Sequence, residues 1–501
     1  MRNIILALLT SALLVRAAAP DAAQEAEKEL FAARYDRAAD LYSRLLHDDP
    51  AWAPGYYGLV RALIGGHRAA EAYMAAEEGL RRAPDKPETL TAAGMAAYRH
   101  GDLSKAEAYY LKAFKLDPHY AGSLGGLATI YSAISKFKTE RKFVLAAYHS
   151  SKDDPQLITA YGYTLEGAEH TAALERALAI YDPTSREARA LRAHIANDKE
   201  VGDRKLRRLS TPYQHYQINL VEILAGPRRA YAVGLQVQLN QSHKVRLMLD
   251  TGASGIAVAP KVAEKAGLEI LGSESFQVYG AGDEKAPESF HYVAGSVSMG
   301  GLSFTNFPVS VFRTAQTTDY DGLIGADVFR RFLVTIDFPR LRLDLDTRPE
   351  SLPADHAEPE DAVDPLPSGF FRALRFGNHL TVPTSVNESA GQLFLIDSGS
   401  NVNLIDTAVA GESTSVHADN RSKLRGIQGQ VKDVSRASEV SLIFAGFHQR
   451  NSDLLAVDMS KLDDAAGVGI AGVLGIPVLR YMKLTIDYKN GAVRFEYQGR
   501  L

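Results

Sequence analysis

The chain has 501 residues, 46% of them hydrophobic and 23% charged, which is the balance of an ordinary globular protein with room for about three domains. A net charge of −4 and a pI near 6.4 leave no basic footprint for nucleic acid. There is no cysteine, so thiol catalysis, disulfides and cysteine–zinc sites are excluded.

The first element in chain order is a targeting segment. Met1-Arg2-Asn3 precedes an apolar run from Ile4 to Val15, and Ala17-Ala18-Ala19 follows. Charged start, apolar core and small residues read as a signal peptide over residues 1–19, which places the mature chain in the periplasm or outside the cell. The alternative is an anchor formed by residues 4–15, the one route to a membrane, although the run is short for a span.

Residues 20–200 are rich in Ala, Leu, Glu, Arg and Tyr and predict helices. Pro50, Pro84 and Pro118 recur every 34 residues. Gly94, Ala106, Tyr110 and Ala113 precede Pro118, and Leu124, Leu127, Ala128 and Tyr131 take the early positions of the next unit. This pattern resembles tetratricopeptide repeats, four or five of them, and implies an all-α solenoid whose concave face takes a peptide or protein partner. The charged stretch Asn197 to Arg208 reads as a linker or capping helix.

The remaining chain predicts strands and is duplicated. Leu247-Met248-Leu249-Asp250-Thr251-Gly252 is echoed by Phe394-Leu395-Ile396-Asp397-Ser398-Gly399. Tyr320-Asp321-Gly322-Leu323-Ile324-Gly325 is echoed by Ile470-Ala471-Gly472-Val473-Leu474-Gly475, and Thr335-Ile336-Asp337-Phe338 by Thr485-Ile486-Asp487-Tyr488. Two homologous lobes follow, over residues 205–348 and 369–501. Residues 349–368, acidic and proline-rich, form an extended link between them. An aspartate held between a buried strand and a tight glycine turn is costly unless it has a task. Two carboxyls a few ångström apart cannot both ionise, so they share one proton and can activate water.

Asp-Thr/Ser-Gly followed by apolar-apolar-Gly, present twice, resembles the pepsin-like and retropepsin-like aspartic proteases over about residues 205–501. The resemblance implies an all-β bilobal fold with catalytic Asp250 and Asp397. It assigns Thr251 and Ser398 to the hydroxyls that cross-link the two loops, Gly252 and Gly399 to the turns, and Gly325 and Gly475 to the position behind each aspartate. It places a flap at Gln277–Gly282, with Tyr279, Gly280 and Gly282 as its candidate residues, and a counterpart around Gly426–Gly429. Each lobe is compact, nearer to a retropepsin half than to a large pepsin lobe. Both aspartates lie in one chain, so a monomer suffices. Three positions after each aspartate stand Ala253 and Ser400. Alanine removes a hydrogen bond to the carboxylate, which argues against a strongly acidic optimum.

Other motifs carry little. Gly467–Gly472 fits a dinucleotide fingerprint by letter but opens a strand. No His-Glu-x-x-His and no serine elbow occur, and no cofactor or metal is expected. The expected protein is therefore multidomain: a tetratricopeptide solenoid followed by an aspartic-type endopeptidase that cuts a peptide or protein substrate. The alternative is a catalytically silent fold of the same shape serving as a binding scaffold.

Overall fold

A computed structural model describes residues 19–202, 204–224, 230–241, 243–271, 275–278, 282–312, 320–348 and 366–499. The expected signal peptide up to residue 18, most of the interlobe link (349–365), and Tyr279 and Gly280 lie outside the described residues. Those described divide into two compact units. One takes residues up to 130 together with 141–192; the other takes 131–140 together with everything from 193.

The first part of the chain is a run of eleven helices, from Ala19–Phe31 to Arg186–Val201. The three prolines of the 34-residue period all fall in turns between helices. There each denies the following turn a backbone donor, and the residue before it leaves the helical region. Pro155 behaves differently. It opens the short helix Pro155–Gly162 at its first turn, and the Asp154 side chain caps that end by accepting from the Gln156 N–H at 2.9 Å. Pro155 stands two 34-residue periods after Pro87, which opens helix Pro87–Arg99 in the same way, whereas the turn position 34 residues after Pro118 holds Lys152; the period blurs there because the turn proline is missing.

Packing follows the small-against-large rule expected of these repeats. The ring of Tyr110, 2% exposed, lies in a slot between Gly94 and Gly126. The same logic puts Tyr42 against Gly58. The repeats also bond across several helices. Arg61 in helix Ala53–Gly65 reaches Asp154 at 2.7 Å and Gln156 at 2.9 Å. The Asp182 N–H donates to the Ala32 carbonyl at 2.9 Å, and the Tyr35 hydroxyl donates to Glu187 at 2.8 Å. Burial disfavours the Arg61 charge, but Asp154 beside it more than offsets this and holds the guanidinium charged.

The second part is β-rich, with two large sheets and a six-stranded sheet that joins them. In the joining sheet, strand Leu333–Asp337 of lobe one pairs antiparallel with strand Met482–Asp487 of lobe two. Thr335 stands opposite its counterpart Thr485, and their hydroxyls meet at 3.2 Å. The duplicated copies thus face each other about that point. Burial of Val334, Ile336, Leu484 and Ile486 to 0% exposure makes one apolar core continuous between the lobes. Among the described residues no helix is long and apolar enough to cross a membrane.

The slot around Tyr110 is tight enough to test. A Cβ on Gly126 would lie 2.3 Å from the Tyr110 ring. Gly126→Val should destabilise the helical part by about 1–3 kcal/mol through overpacking, read as an earlier loss of helical circular dichroism on heating.

Candidate active site

In each lobe a strand runs into its aspartate alongside the apolar-apolar-Gly strand. In lobe one, His243–Asp250 lies parallel to Gly322–Gly325, with Asp250 opposite Gly325. The latter strand also pairs antiparallel with Ile256–Val258, so it threads between the strands on either side of the aspartate turn. In lobe two, Ser389–Ile396 lies parallel to Gly472–Leu474, which pairs in turn with Leu404–Asp406. The Asp397 N–H donates to the Leu474 carbonyl at 3.0 Å. Gly475 follows directly, and its N–H is accepted by the Asn403 side chain at 2.9 Å.

The two turns lock together through Thr251 and Ser398, both essentially buried. The Thr251 hydroxyl donates to the Ile396 carbonyl at 2.8 Å and accepts from the Ser398 N–H at 2.9 Å. The Ser398 hydroxyl donates to the Leu249 carbonyl at 2.8 Å and accepts from the Thr251 N–H at 3.0 Å. Four bonds cross the lobe boundary, and every polar group in the grip has a partner.

The grip brings the Asp250 and Asp397 carboxyls into hydrogen-bond contact. Each also packs on the turn glycine of the opposite lobe. A Cβ on Gly252 would lie 2.7 Å from Asp397 Cγ, and one on Gly399 would lie 2.5 Å from Asp250 Cγ. Only glycine admits such an approach. Both side chains remain half-buried, so one face of the pair is open.

Burial and the neighbouring Asp397 charge push the Asp250 carboxyl well above the usual carboxylate range. Burial raises Asp397 too, but the proton offered by Asp250 and the amides of Gly399 and Ser400 pull it back. Asp397 accepts from those two amides at 2.8 and 3.1 Å, and Asp250 from the Gly252 N–H at 2.8 Å. The pair is therefore held to one shared proton, whose titration belongs to both carboxyls together. The Ser400 hydroxyl does not take part, contrary to the sequence expectation. It donates to the Val402 carbonyl at 2.8 Å, so the difference from Ala253 lies in backbone amides rather than in a lost hydroxyl.

Sequence reasoning missed several supports. Asp327, 1% exposed, accepts from the Gly255 N–H at 2.7 Å and the Ser254 hydroxyl at 3.3 Å, with Arg207 at 3.7 Å. It braces the lobe-one turn from behind. Its place in lobe two is taken by Pro477, so the duplication hides it, and only its charge beside an apolar run could have drawn notice. Asn378 crosses from lobe two to the Ser254 hydroxyl at 2.6 Å.

Of the flap residues, Gly282 is described. The Asp283 N–H donates to the Gln430 carbonyl at 3.0 Å, and the Glu284 N–H to the Gln428 carbonyl at 2.7 Å. Lys461 binds the Asp283 carboxylate at 2.6 Å and the Gly282 carbonyl at 3.3 Å. The segment after the lobe-one flap is thus stitched to the lobe-two hairpin formed by Leu424–Gly426 and Gly429–Val431.

Residues 235–328 match the sequence family described as "Aspartyl protease". This part of the chain is an aspartyl protease-like domain. The match encloses Asp250, Gly252 and Gly325. A solved retropepsin-like aspartic protease from Rickettsia conorii is 23% identical, with 28% of this chain and 97% of that one covered, at a TM-score of 0.21. The crystal structure of MamA is 16% identical, covering 31% of this chain and 93% of that one, at a TM-score of 0.21. The TPR repeat-containing protein PA4667 of Pseudomonas aeruginosa is 26% identical over 136 residues, 27% of this chain and 23% of that protein. This chain therefore spans under a quarter of that curated relative.

The raised Asp250 value has a consequence for stability. A carboxyl whose folded value lies above its unfolded value favours folding at low pH and loses that contribution as pH rises through the folded value. Asp250→Asn removes this dependence. The variant should melt higher than wild type at pH 7, and the gain should vanish toward pH 4, as measured by thermal unfolding at the two pH values.

Proposed function

We propose that the chain is an exported aspartic-type endopeptidase in which Asp250 and Asp397 together activate water. The observation that carries this reading is the four-bond grip of Thr251 and Ser398, which holds two carboxyls in contact with one face open. With the shared proton on Asp250, Asp397 takes a proton from a water lying between the carboxyls as that water attacks the peptide carbonyl carbon. Asp250 gives its proton to the carbonyl oxygen as the carbon becomes tetrahedral. When the C–N bond breaks, the proton gained by Asp397 passes to the leaving nitrogen, one hydroxyl of the tetrahedral carbon returns its proton to Asp250, and the carbonyl reforms. Thr251, Gly252, Ser398, Gly399, Gly325 and Gly475 hold the geometry without touching substrate.

The helical repeats recruit a substrate or partner protein in this reading. Residues 1–19 direct export, and the repeats, two lobes and link fall at 20–200, 205–348, 369–501 and 349–368. Against the alternative of a silent scaffold stands the pair itself. A binding module has no need of two acids held in contact at such cost.

Kinetics tests this directly. Asp250→Asn or Asp397→Asn alone should abolish hydrolysis of an unstructured peptide, and the double variant should be no worse, because the two act as one unit. Substantial turnover in either single variant defeats the mechanism. Because one chain carries both acids, specific activity of the full-length protein should stay constant on dilution. A steep fall that parallels dimer dissociation would defeat the single-chain site.

A further inference from the structure

Residues Tyr131–Glu140, which hold the turn between two helices of the repeat run, belong to the compact unit of the lobes. The turn is tightly closed. After helix Ala121–Ala133 the Ser135 N–H donates to the Ser132 carbonyl at 2.9 Å and the Lys136 N–H to the Tyr131 carbonyl at 2.8 Å, with Ser135 in the left-handed region at φ 60°. Ser135 seats against lobe two, where a Cβ on Gly491 would lie 2.7 Å from its hydroxyl oxygen. The Gly491 carbonyl accepts the Ala373 N–H at 2.9 Å. Two residues on, in strand Leu374–Phe376, the Arg375 guanidinium lies 5.3 Å from the centre of the Phe137 ring. Phe137 is the first residue of the next helix, Phe137–Ser150.

From Arg375 a chain of bonds leads to the lobe-one aspartate turn. Arg375 donates to the Gly377 carbonyl at 2.6 Å and to the Asn378 side-chain oxygen at 3.3 Å. The Asn378 nitrogen donates to the Ser254 hydroxyl, that hydroxyl donates to Asp327, and Asp327 holds the Gly255 N–H. The Gly255 carbonyl in turn accepts the Gly325 N–H at 2.7 Å, and Gly325 lies opposite Asp250. A guanidinium can only donate, so Arg375 fixes which way the Asn378 amide points. The amide nitrogen then faces Ser254, and the Ser254 proton is left for Asp327. With the amide reversed, Ser254 would give its proton to Asn378, and Asp327 would lose a donor. The direction of the chain is therefore set at its outer end, beside Phe137.

We propose that Phe137 is a positioning residue for the lobe-one aspartate turn, acting through Arg375, Asn378 and Ser254. The proposal rests on the protease reading above. The ring face attracts the guanidinium and holds it beside Asn378. Without the ring, Arg375 turns toward water and the Asn378 amide loses its direction. The turn that carries Asp250 then loosens. The chain bears on Asp250 and not on substrate, so its loss falls on kcat more than on KM. A turn of the helical run thereby completes the support of the catalytic pair.

The test uses full-length protein and a fluorogenic peptide. Phe137 is 38% exposed, so replacing it costs the fold little. Phe137→Leu keeps apolar bulk without a π face and should lower kcat by about two- to fivefold, the range of an exposed cation–π contact, with KM changed less. Phe137→Tyr keeps the face and should behave as wild type. Asn378→Ala should lower kcat by about three- to tenfold, the range of one hydrogen bond, and adding Phe137→Leu to it should cost nothing more. Equal kcat in Phe137→Leu and Phe137→Tyr, or losses that multiply in the double variant, overturn the proposal and leave the protease reading standing. A second measurement needs no turnover and holds even where Asn378→Ala does not fold. Amide hydrogen exchange in peptides covering Ser254 and Gly255 should be faster in Phe137→Leu than in Phe137→Tyr. Equal exchange in the two overturns the proposal. Absence of turnover in wild type at every pH defeats the protease reading, and the exchange rates then decide the coupling alone.

Discussion

Everything in the β-rich part depends on holding two carboxyls in contact inside a desolvated turn pair. Left to themselves, two such groups would separate, because burial and mutual charge both oppose them. The Thr251–Ser398 grip resists this with bonds that run in both directions across the lobe boundary. It works only because each hydroxyl both donates and accepts, which an apolar residue of the same size cannot do. The joining sheet serves the same end at longer range. Its Thr335–Thr485 contact and the continuous core fix the lobes about the point where the copies face each other.

Duplication supplies the matched geometry, and the departures from it supply direction. Lobe one braces its turn with the buried Asp327 carboxylate, while lobe two uses Asn403 on the Gly475 amide. Asp397 takes both of its amides from its own turn, while Asp250 takes one from its own turn and feels the Gly399 amide of the other. A symmetric pair would place its proton on either side equally. Here the two carboxyls draw on different amides, Gly252 and Gly399 for Asp250 and Gly399 and Ser400 for Asp397, so the pair is not symmetric although its one proton belongs to both.

The parts of this arrangement legible in the sequence are those the duplication repeats. Asp250 and Asp397, the hydroxyl after each and the glycine after that could be paired because both copies keep them. The 34-residue proline period likewise exposed the helical repeats until residue 152, where the turn position holds Lys152 in place of proline. What the sequence hid lies where the copies differ. Asp327 has Pro477 as its counterpart, and the bond from Asn378 to Ser254 joins residues 124 apart with no shared pattern. Ser400 misled because a hydroxyl beside a carboxylate invites a bond. The local turn offered it the Val402 carbonyl, and the backbone N–H did the work instead.

The helical part follows a different economy. Repeats stabilise one another through neighbours, so contacts that skip helices are not needed to hold a stack together. Arg61 nevertheless passes over the intervening repeats to Asp154, and Ala32 and Tyr35 bond to residues near the end of the run. A buried ion pair adds little net stability but is costly to break singly. It therefore fixes the helices it joins against each other more than it adds stability. A partner entering between those helices must replace the carboxylate on Arg61 with one of its own, or else leave that pair intact and bind elsewhere on the repeats.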